Sequence, residues 1–417
     1  MQHFAKKFFK YLPQPSVGLY KYSPLAPSMK LIREIACGGK IFFVNLRYTY
    51  TNLKNIAMAA NNRYCVIMGG GIGSRFWPYS RTDFPKQFID FFGTGRSFIQ
   101  MSFDRVQDII PVDHIFVVTN ALYAPLVKKQ LPMLPEENIL LEPARRNTAP
   151  CIAWAAYHIA AINPEASIMV APSDHIILRE TEFRKSVIKG FEFVEQHDAL
   201  LTMGVKPSRP ETGYGYIQIG KEQVPGINEV KTFTEKPNLE LAKVFLDTGE
   251  FFWNSGIFLW KASTIKNALA EHCQDVASIF DKGAGLFGTP GELGFIANEF
   301  QNCPNISIDY AVMEKASNVY VECVDIGWSD VGTWGSLYEI SPKNKDGNVT
   351  QNNKACMFNS KNNIVSMKED KLVVAVGLND YIIADADDVL LICPKADEQR
   401  IKLIVNEVKS LYGDKYI

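Results

Sequence analysis

Between Tyr64 and Phe88 the chain reads YCVIMGGGIGSRFWPYSRTDFPKQF, a stretch that combines a glycine cluster with three closely spaced cations. Gly69, Gly70, Gly71 and Gly73 allow a tight bend and a close approach of backbone to a ligand. Exposed amides on such a bend can cradle phosphate oxygens. Arg75, Arg81 and Lys86 follow at spacings that can surround one polyphosphate, where fixed positive charge stabilises the transition state of phosphoryl or nucleotidyl transfer. The segment therefore reads as a site for a nucleoside triphosphate. It is not a P-loop, because Gly73-Ser74-Arg75 stands where Gly-Lys-Ser/Thr is required, nor a dinucleotide fingerprint, because Phe76 occupies the third glycine position. A tight strand-to-loop connection is the plainer alternative, and the segment alone leaves it open.

The pattern Gly70-Gly71-Ile72-Gly73-Ser74-Arg75-Phe76-Trp77-Pro78-Tyr79-Ser80-Arg81, followed by Pro85-Lys86-Gln87-Phe88, resembles the signature of bacterial mannose-1-phosphate guanylyltransferases. Departures are small: Gly69 stands where alanine is usual, Ser74 replaces threonine and Phe76 replaces leucine. Further blocks follow in the family's order. These are Glu142 to Pro150 (EPARRNTAP), Ala171-Pro172-Ser173-Asp174-His175, Thr212 to Ile217 (TGYGYI), Phe233 to Pro237 (FTEKP), Trp253 to Phe258 (WNSGIF) and Asp325 to Trp334 (DIGWSDVGTW). The resemblance covers about residues 60 to 410. It implies an enzyme that makes GDP-mannose and pyrophosphate from GTP and mannose 1-phosphate.

Such a reaction needs in-line attack of the sugar phosphate oxygen on the α-phosphorus of GTP, so the enzyme mainly positions anions and offsets charge. No covalent nucleophile is required. Magnesium or another hard divalent cation suits the task, since it binds one or two carboxylates together with phosphate oxygens. With the resemblance, Asp174 and Asp330 are the expected metal ligands; by spacing alone, Asp174 could cap a turn and Asp330 a helix. Arg75 and Lys86 are assigned to the triphosphate and complete the catalytic set. Arg81 either joins them or braces the loop through an ion pair. Gly70, Gly71, Gly73, Ser74 and Arg75, with Arg146 and Asn147, are the nucleotide-binding candidates, although Asn147 could simply cap a helix. Gly213, Glu235, Lys236 and Asn254 are the sugar-phosphate candidates, against the plainer readings of Glu235 as a partner for Lys236 and Asn254 as a turn residue. His175 could tune the metal region or pack as a neutral neighbour. Base and sugar identity rest on the resemblance. Alternatives are a relative using another base or hexose 1-phosphate, and a catalytically inactive sugar-nucleotide-binding homologue.

The elements that position these groups are legible as periodicities. Apolar runs at Tyr64–Met68, His114–Thr119, Asn138–Leu141, Ser167–Ala171 and Ala199–Val205 alternate with helical patterns around Phe98–Ile110, Ala121–Leu131, Thr148–Ile162 and Glu182–His197. This alternation predicts an α/β, Rossmann-like, mostly parallel sheet whose ligands sit beyond the carboxyl ends of the strands. That nucleotidyltransferase domain is expected over 58–345, with acceptor-side blocks in its second half. From 346 to 417, short runs at Asn363–Met367, Lys371–Val376, Tyr381–Ala384 and Val389–Cys393, then a helix at Asp397–Leu411, predict a small β domain. The resemblance makes it β-helix-like, associates it with dimer contact, and leaves no room for the isomerase domain of some relatives.

Composition describes an ordinary globular chain: 417 residues, 47% apolar, net charge −1. No apolar run is long enough to span a bilayer. Eight cysteines without CxxC pairing favour buried thiols in a reducing cytoplasm. Trp77, Trp253, Trp260, Trp328 and Trp334 are expected in the core. The first sixty residues hold nine Lys or Arg against Glu34, a charge of +8 that leaves −9 for the rest. Residues 1–57 lie outside the resemblance and are expected to be a disordered extension or sequence upstream of the native start, with an RNA-binding arm as the alternative. Small-molecule substrates and a homodimer are expected, with no nucleic-acid or membrane partner.

Overall fold

The computed structural model describes residues 34–37, 40–43 and 62–417, except 352–353, 368–370 and 387. The chain divides into two compact units, Met1–Met58 and Ala59–Ile417. In the first, the backbone of Glu34–Cys37 (β1) pairs antiparallel with Lys40–Phe43 (β2). The rest of the expectation for residues 1–57 falls outside the described residues.

The second unit is built on a nine-stranded sheet. Its strands are Arg63–Met68 (β3), Ile115–Asn120 (β4), Ile139–Glu142 (β5), Ser167–Pro172 (β6), Leu200–Val205 (β8), Tyr216–Val224 (β9), Ile227–Thr234 (β10), Phe251–Lys261 (β11) and Val319–Val324 (β12). The two-residue strands Ile176–Ile177 (β7) and Trp328–Ser329 (β13) form a separate ribbon. The order is β5-β4-β3-β6-β11-β8-β12-β10-β9. Strands β3 to β6 pair in parallel, as do β8 and β12, whereas β11 runs antiparallel to both β6 and β8. Tyr64 to Ile67 are all buried, as a strand covered on both faces requires.

Two apolar layers sandwich the sheet. On one side packs Thr148–Ile162 (α2), a helix apolar nearly all round and buried from Ala149 through Tyr157. On the other pack Phe98–Val106 (α1) and Glu180–Gln196 (α3). The five tryptophans expected in the core are all buried.

Towards the C-terminus lie Val349–Gln351 (β14), Lys354–Phe358 (β15), Ile364–Met367 (β16), Leu372–Val376 (β17), Tyr381–Ala386 (β18) and Val389–Pro394 (β19). Val349 pairs in parallel with Ile364, Lys354 with Leu372 and Ile364 with Ile382, so the chain advances by one winding every 15 to 18 residues, a β-helix-like coil. Asn348 and Asn363 form an interior ladder at its corner: Asn363 Nδ2 donates to Asn348 Oδ1 at 2.8 Å and to Leu378 O at 2.8 Å. A 3₁₀ segment, Lys395–Arg400, leads into the final helix, Ile401–Tyr412. A third apolar cluster joins this coil to Phe76, Trp77 and Phe91 of the glycine-loop region, and to Trp334. No helix among the described residues is long and apolar enough to cross a membrane.

Candidate active site

The glycine bend leaves the carboxyl end of β3 and is pinned from several sides. Gly69 N donates to Val118 O at 2.8 Å, while Gly69 O accepts from Thr119 Oγ1 and from Gln87 Nε2, each at 2.7 Å. Gly73 has φ +70°, and a Cβ there would stand 2.5 Å from Lys86 Cβ, so both conformation and space demand glycine. Ser80 Oγ donates to Gly73 O at 2.6 Å, and Lys86 N donates to Ile72 O at 3.1 Å. These bonds fold Pro85–Phe88 back beneath the bend.

Lys86 is thereby buried at the centre of the site, its side chain 3% exposed. Its Nζ donates to Asp174 Oδ2 at 3.0 Å and to the Asp330 carbonyl at 2.7 Å, and lies 5.2 Å from the Phe98 ring centroid. One ammonium thus ties together the bend, a residue two positions beyond β6 and another more than 150 positions further on. Asp330 reaches this point through the β7·β13 ribbon, in which Ser329 pairs with Ile176 and Trp328 with Ile177.

Burial pushes the Asp174 carboxyl up, but the charge of Lys86 and its hydrogen bond outweigh it and hold the group below the ordinary range. Burial lowers His175, leaving a neutral imidazole at neutral pH despite Asp174 and Asp330 nearby. Its Nδ1 accepts from Trp328 Nε1 at 3.1 Å, which puts the proton on Nε2, 3.8 Å from Asp174 Oδ1. Asp330 Oδ1 accepts from Tyr214 OH at 2.5 Å and from Gly332 N at 2.9 Å. Among the described residues, neither Asp330 Oδ2 nor Asp174 Oδ1 accepts a hydrogen bond from another residue's side chain. Two carboxylates with one oxygen each to spare fit a hard cation. No group of three His, Cys, Asp or Glu suited to a metal occurs among the described residues, so such an ion would complete its shell with phosphate oxygens and water.

The acceptor-side candidates gather around Asn254 on β11. Asn254 Nδ2 donates to Asp309 Oδ1 at 2.8 Å; its Oδ1 accepts from Thr202 Oγ1 at 3.0 Å and from Gly256 N at 3.1 Å. Burial, reinforced by the negative charge of Glu235, pushes Asp309 up to about 6. Lys236, at φ +48°, is exposed and paired with the largely buried Glu235. Gly213 lies on an exposed loop, its N donating to Glu211 Oε1 at 3.1 Å, and the adjoining Tyr214 links this loop to Asp330.

The remaining candidates are engaged elsewhere or stand open. Arg75 is exposed and makes no hydrogen bond among the described residues. Arg81 is an internal brace: it pairs with Asp388 at 2.7 Å and donates to Ala386 O and Pro78 O, each at 3.3 Å. Arg146 donates to the Gln301 carbonyl, and Asn147 accepts from Thr148 N at 2.9 Å, capping α2. Residues not singled out from sequence also surround the site. Glu142, at the end of β5, is buried, and a Cβ on Gly70 would stand 3.3 Å from its Oε2. Burial pushes its carboxyl up to about 7, partly offset by the Cys151 thiol and Arg145. Its position at a strand's carboxyl end, in line with Gly69 and Asp174, was the available signal; Tyr214 and Asp309 carried none.

A nucleotidyl transferase family model matches residues 64–347, and one for a MannoseP isomerase/GMP-like beta-helix domain matches residues 353–408. Mannose-1-phosphate guanylyltransferase of Escherichia coli K12 is 38% identical over 365 residues, covering 85% of this chain and 75% of that protein. Mannose-1-phosphate guanylyltransferase 2 of Escherichia coli O157:H7 is 38% identical over 84% of this chain and 74% of its own length. A crystal structure from Thermus thermophilus, described as a mannose-1-phosphate geranyltransferase, matches with TM-score 0.75 and 25% identity over 84% of this chain and 99% of that one. With its glycine bend, its mostly parallel sheet and its β-helix-like coil all inside these matches, the chain belongs to the mannose-1-phosphate guanylyltransferases of the nucleotidyl transferase family.

Proposed function

We propose that the chain is an enzyme that transfers a guanylyl group from GTP to α-D-mannose 1-phosphate, forming GDP-mannose and releasing pyrophosphate. The observation that carries this reading is the buried Lys86 ammonium bonded at once to Asp174 and to the Asp330 carbonyl beneath the glycine bend. The acceptor's phosphate oxygen attacks the α-phosphorus, the bond to the bridging oxygen breaks, and the electron pair leaves with pyrophosphate. Gly70, Gly71, Gly73 and Ser74 offer backbone amides to the phosphates. Arg75, exposed and without a hydrogen-bonding partner among the described residues, meets the triphosphate from outside, while Lys86 faces the charge developing at the α-phosphorus. Asp174 and Asp330 would hold a divalent cation, magnesium being the natural choice; when bound, it supplies further positive charge against the phosphate oxygens. Lys236 receives the phosphate of the hexose, and Glu235 and Asn254 its hydroxyls, with Gly213 on the adjoining loop. Arg146 and Asn147 contribute to the nucleotide side by fixing the start of α2. We further propose a homodimer formed through the C-terminal coil and a cytoplasmic setting, the latter in keeping with the free thiols.

The decisive assay combines purified protein and magnesium with a panel of triphosphates against a panel of hexose 1-phosphates, reading pyrophosphate release. GTP with mannose 1-phosphate is expected to give the highest kcat/KM. A clear win by another pair would overturn the guanylyl and mannosyl assignments.

A further inference from the structure

A third carboxylate approaches the Asp330 turn, and it comes from beyond the C-terminal coil. Glu398 lies in the 3₁₀ segment that follows β19, and its Oε2 accepts from Gly335 N at 2.7 Å. A Cβ on residue 335 would stand 3.0 Å from both Glu398 carboxylate oxygens, which would have to give by a few tenths of an ångström. Thr333 caps the helix Trp334–Ile340 through Ser336 N, one turn of chain away from the Asp330 carboxylate. Immediately upstream, Val331 has φ +43°, an unfavourable conformation for a β-branched residue that persists only where its surroundings impose it. The turn is therefore held at both ends, by Lys86 on the Asp330 carbonyl and by Glu398 on Gly335.

We infer that Glu398 is a positioning residue for nucleotidyl transfer: it fixes the Val331 turn that aims the Asp330 carboxylate. The inference rests on Asp330 belonging to the reaction site. A merely structural anchor would affect melting and leave turnover per folded molecule unchanged, because Trp334 already packs against Phe76 at 5.3 Å.

The test compares Glu398→Ala, Glu398→Gln, Gly335→Ala and Asp330→Asn in the full chain, with thermal melts alongside pyrophosphate release. Glu398→Ala is expected to lower kcat roughly tenfold through loss of one orienting contact, with KM for mannose 1-phosphate held within about twofold. Glu398→Gln keeps an acceptor oxygen and should recover most of kcat. Gly335→Ala, which shifts the carboxylate by a few tenths of an ångström, should lower kcat in the same direction by a smaller factor and carries the test alone if Glu398→Ala does not fold. Normal kcat in Glu398→Ala or Gly335→Ala, or a Gln variant as slow as the Ala variant, would overturn the inference. If those outcomes occur while Asp330→Asn is inactive, the proposed reaction site stands and the role of Glu398 falls. A fully active Asp330→Asn brings down both.

Discussion

A buried ammonium is costly unless it is paired, and Lys86 is paired on every side the structure offers: a carboxylate, a carbonyl and two aromatic faces. Replacing it by Met removes the charge and leaves Asp174 and the Asp330 carbonyl without their donor. We expect kcat to drop at least a hundredfold, as loss of a preorganised charge does. Stability should fall by about 1–3 kcal/mol, a buried-pair effect discounted for the partly exposed Asp174. Pyrophosphate release and urea melts would measure the two, and an intact protein with wild-type kcat would remove Lys86 from the chemistry. Glu142 supports a prediction on base choice. A carboxylate beside the glycine bend can accept both N–H donors of guanine's edge, whereas a glutamine offers one acceptor and a mismatched donor. Glu142→Gln is expected to lower kcat/KM for GTP by about a hundredfold, and for ITP, which lacks the exocyclic amine, by less. Since burial holds this carboxyl near 7, wild-type kcat/KM for GTP should rise as pH climbs through that value, and the variant should lose that rise. Equal losses with both nucleotides would separate Glu142 from guanine.

At the scale of elements, continuous apolar runs identify β3, β4, β5, β6 and β8 to within a residue or two, because a strand buried on both faces needs nothing else. The span of α2 is legible for a different reason: Asn147 caps it and Pro150 fits its first turn. Local pattern does not reveal that β11 enters antiparallel between β6 and β8, or that β7 pairs with β13, since those registers are set by partners far away in the chain. Strand β15 also escapes notice, its residues alternating between exposed and partly exposed positions. The same limit explains why Tyr214, Asp309 and Glu398 stay silent in the sequence: a carboxylate or phenol acquires its role from neighbours on other elements. Glu322 on β12 is another such case. It is buried, its Oε2 has no hydrogen-bond partner, and Lys189 approaches Oε1 only to 3.4 Å. Burial therefore prevails over Lys189 and Ser186 and pushes the carboxyl up to about 7. From its ordinary value up to about 7 the unfolded chain surrenders this proton while the folded chain keeps it, so stability falls as pH rises through that window. Glu322→Gln should remove that slope. The variant and wild type are expected to melt together near pH 4.5 and to differ above pH 7, the variant being more stable by at most about 3 kcal/mol. A constant difference across pH would show that Glu322 titrates normally.

For the whole molecule, every residue assigned to the reaction lies in the compact unit Ala59–Ile417, so removing residues 1–57 should leave kcat and both KM values within about twofold, the range of a change remote from the site. A folded but inactive truncation would show that the basic segment contributes to catalysis. Association is the remaining question at this scale, and the C-terminal coil bears on it directly. A coil buries the alternate residues that face its interior, and here the outward positions are apolar as well: Leu372, Val374 and Val376 on β17 are each about 60% exposed, as are Leu390 and Ile392 on β19. Three large aliphatics on one face of a five-residue strand make a surface that isolated monomers rarely present. Self-association covers it without demanding any change in the site, because Lys86, Asp174, Asp330 and Glu398 all come from one chain. Paired Leu372→Glu and Val374→Glu substitutions place two like charges at the centre of that face, where desolvation without a partner is prohibitive. Sedimentation velocity is expected to give wild type near twice the 46.9 kDa of the chain and the double variant near that mass, with kcat retained. A double variant that remains a dimer would move the interface away from β17, and a wild-type monomer at micromolar concentration would end the proposal of a homodimer.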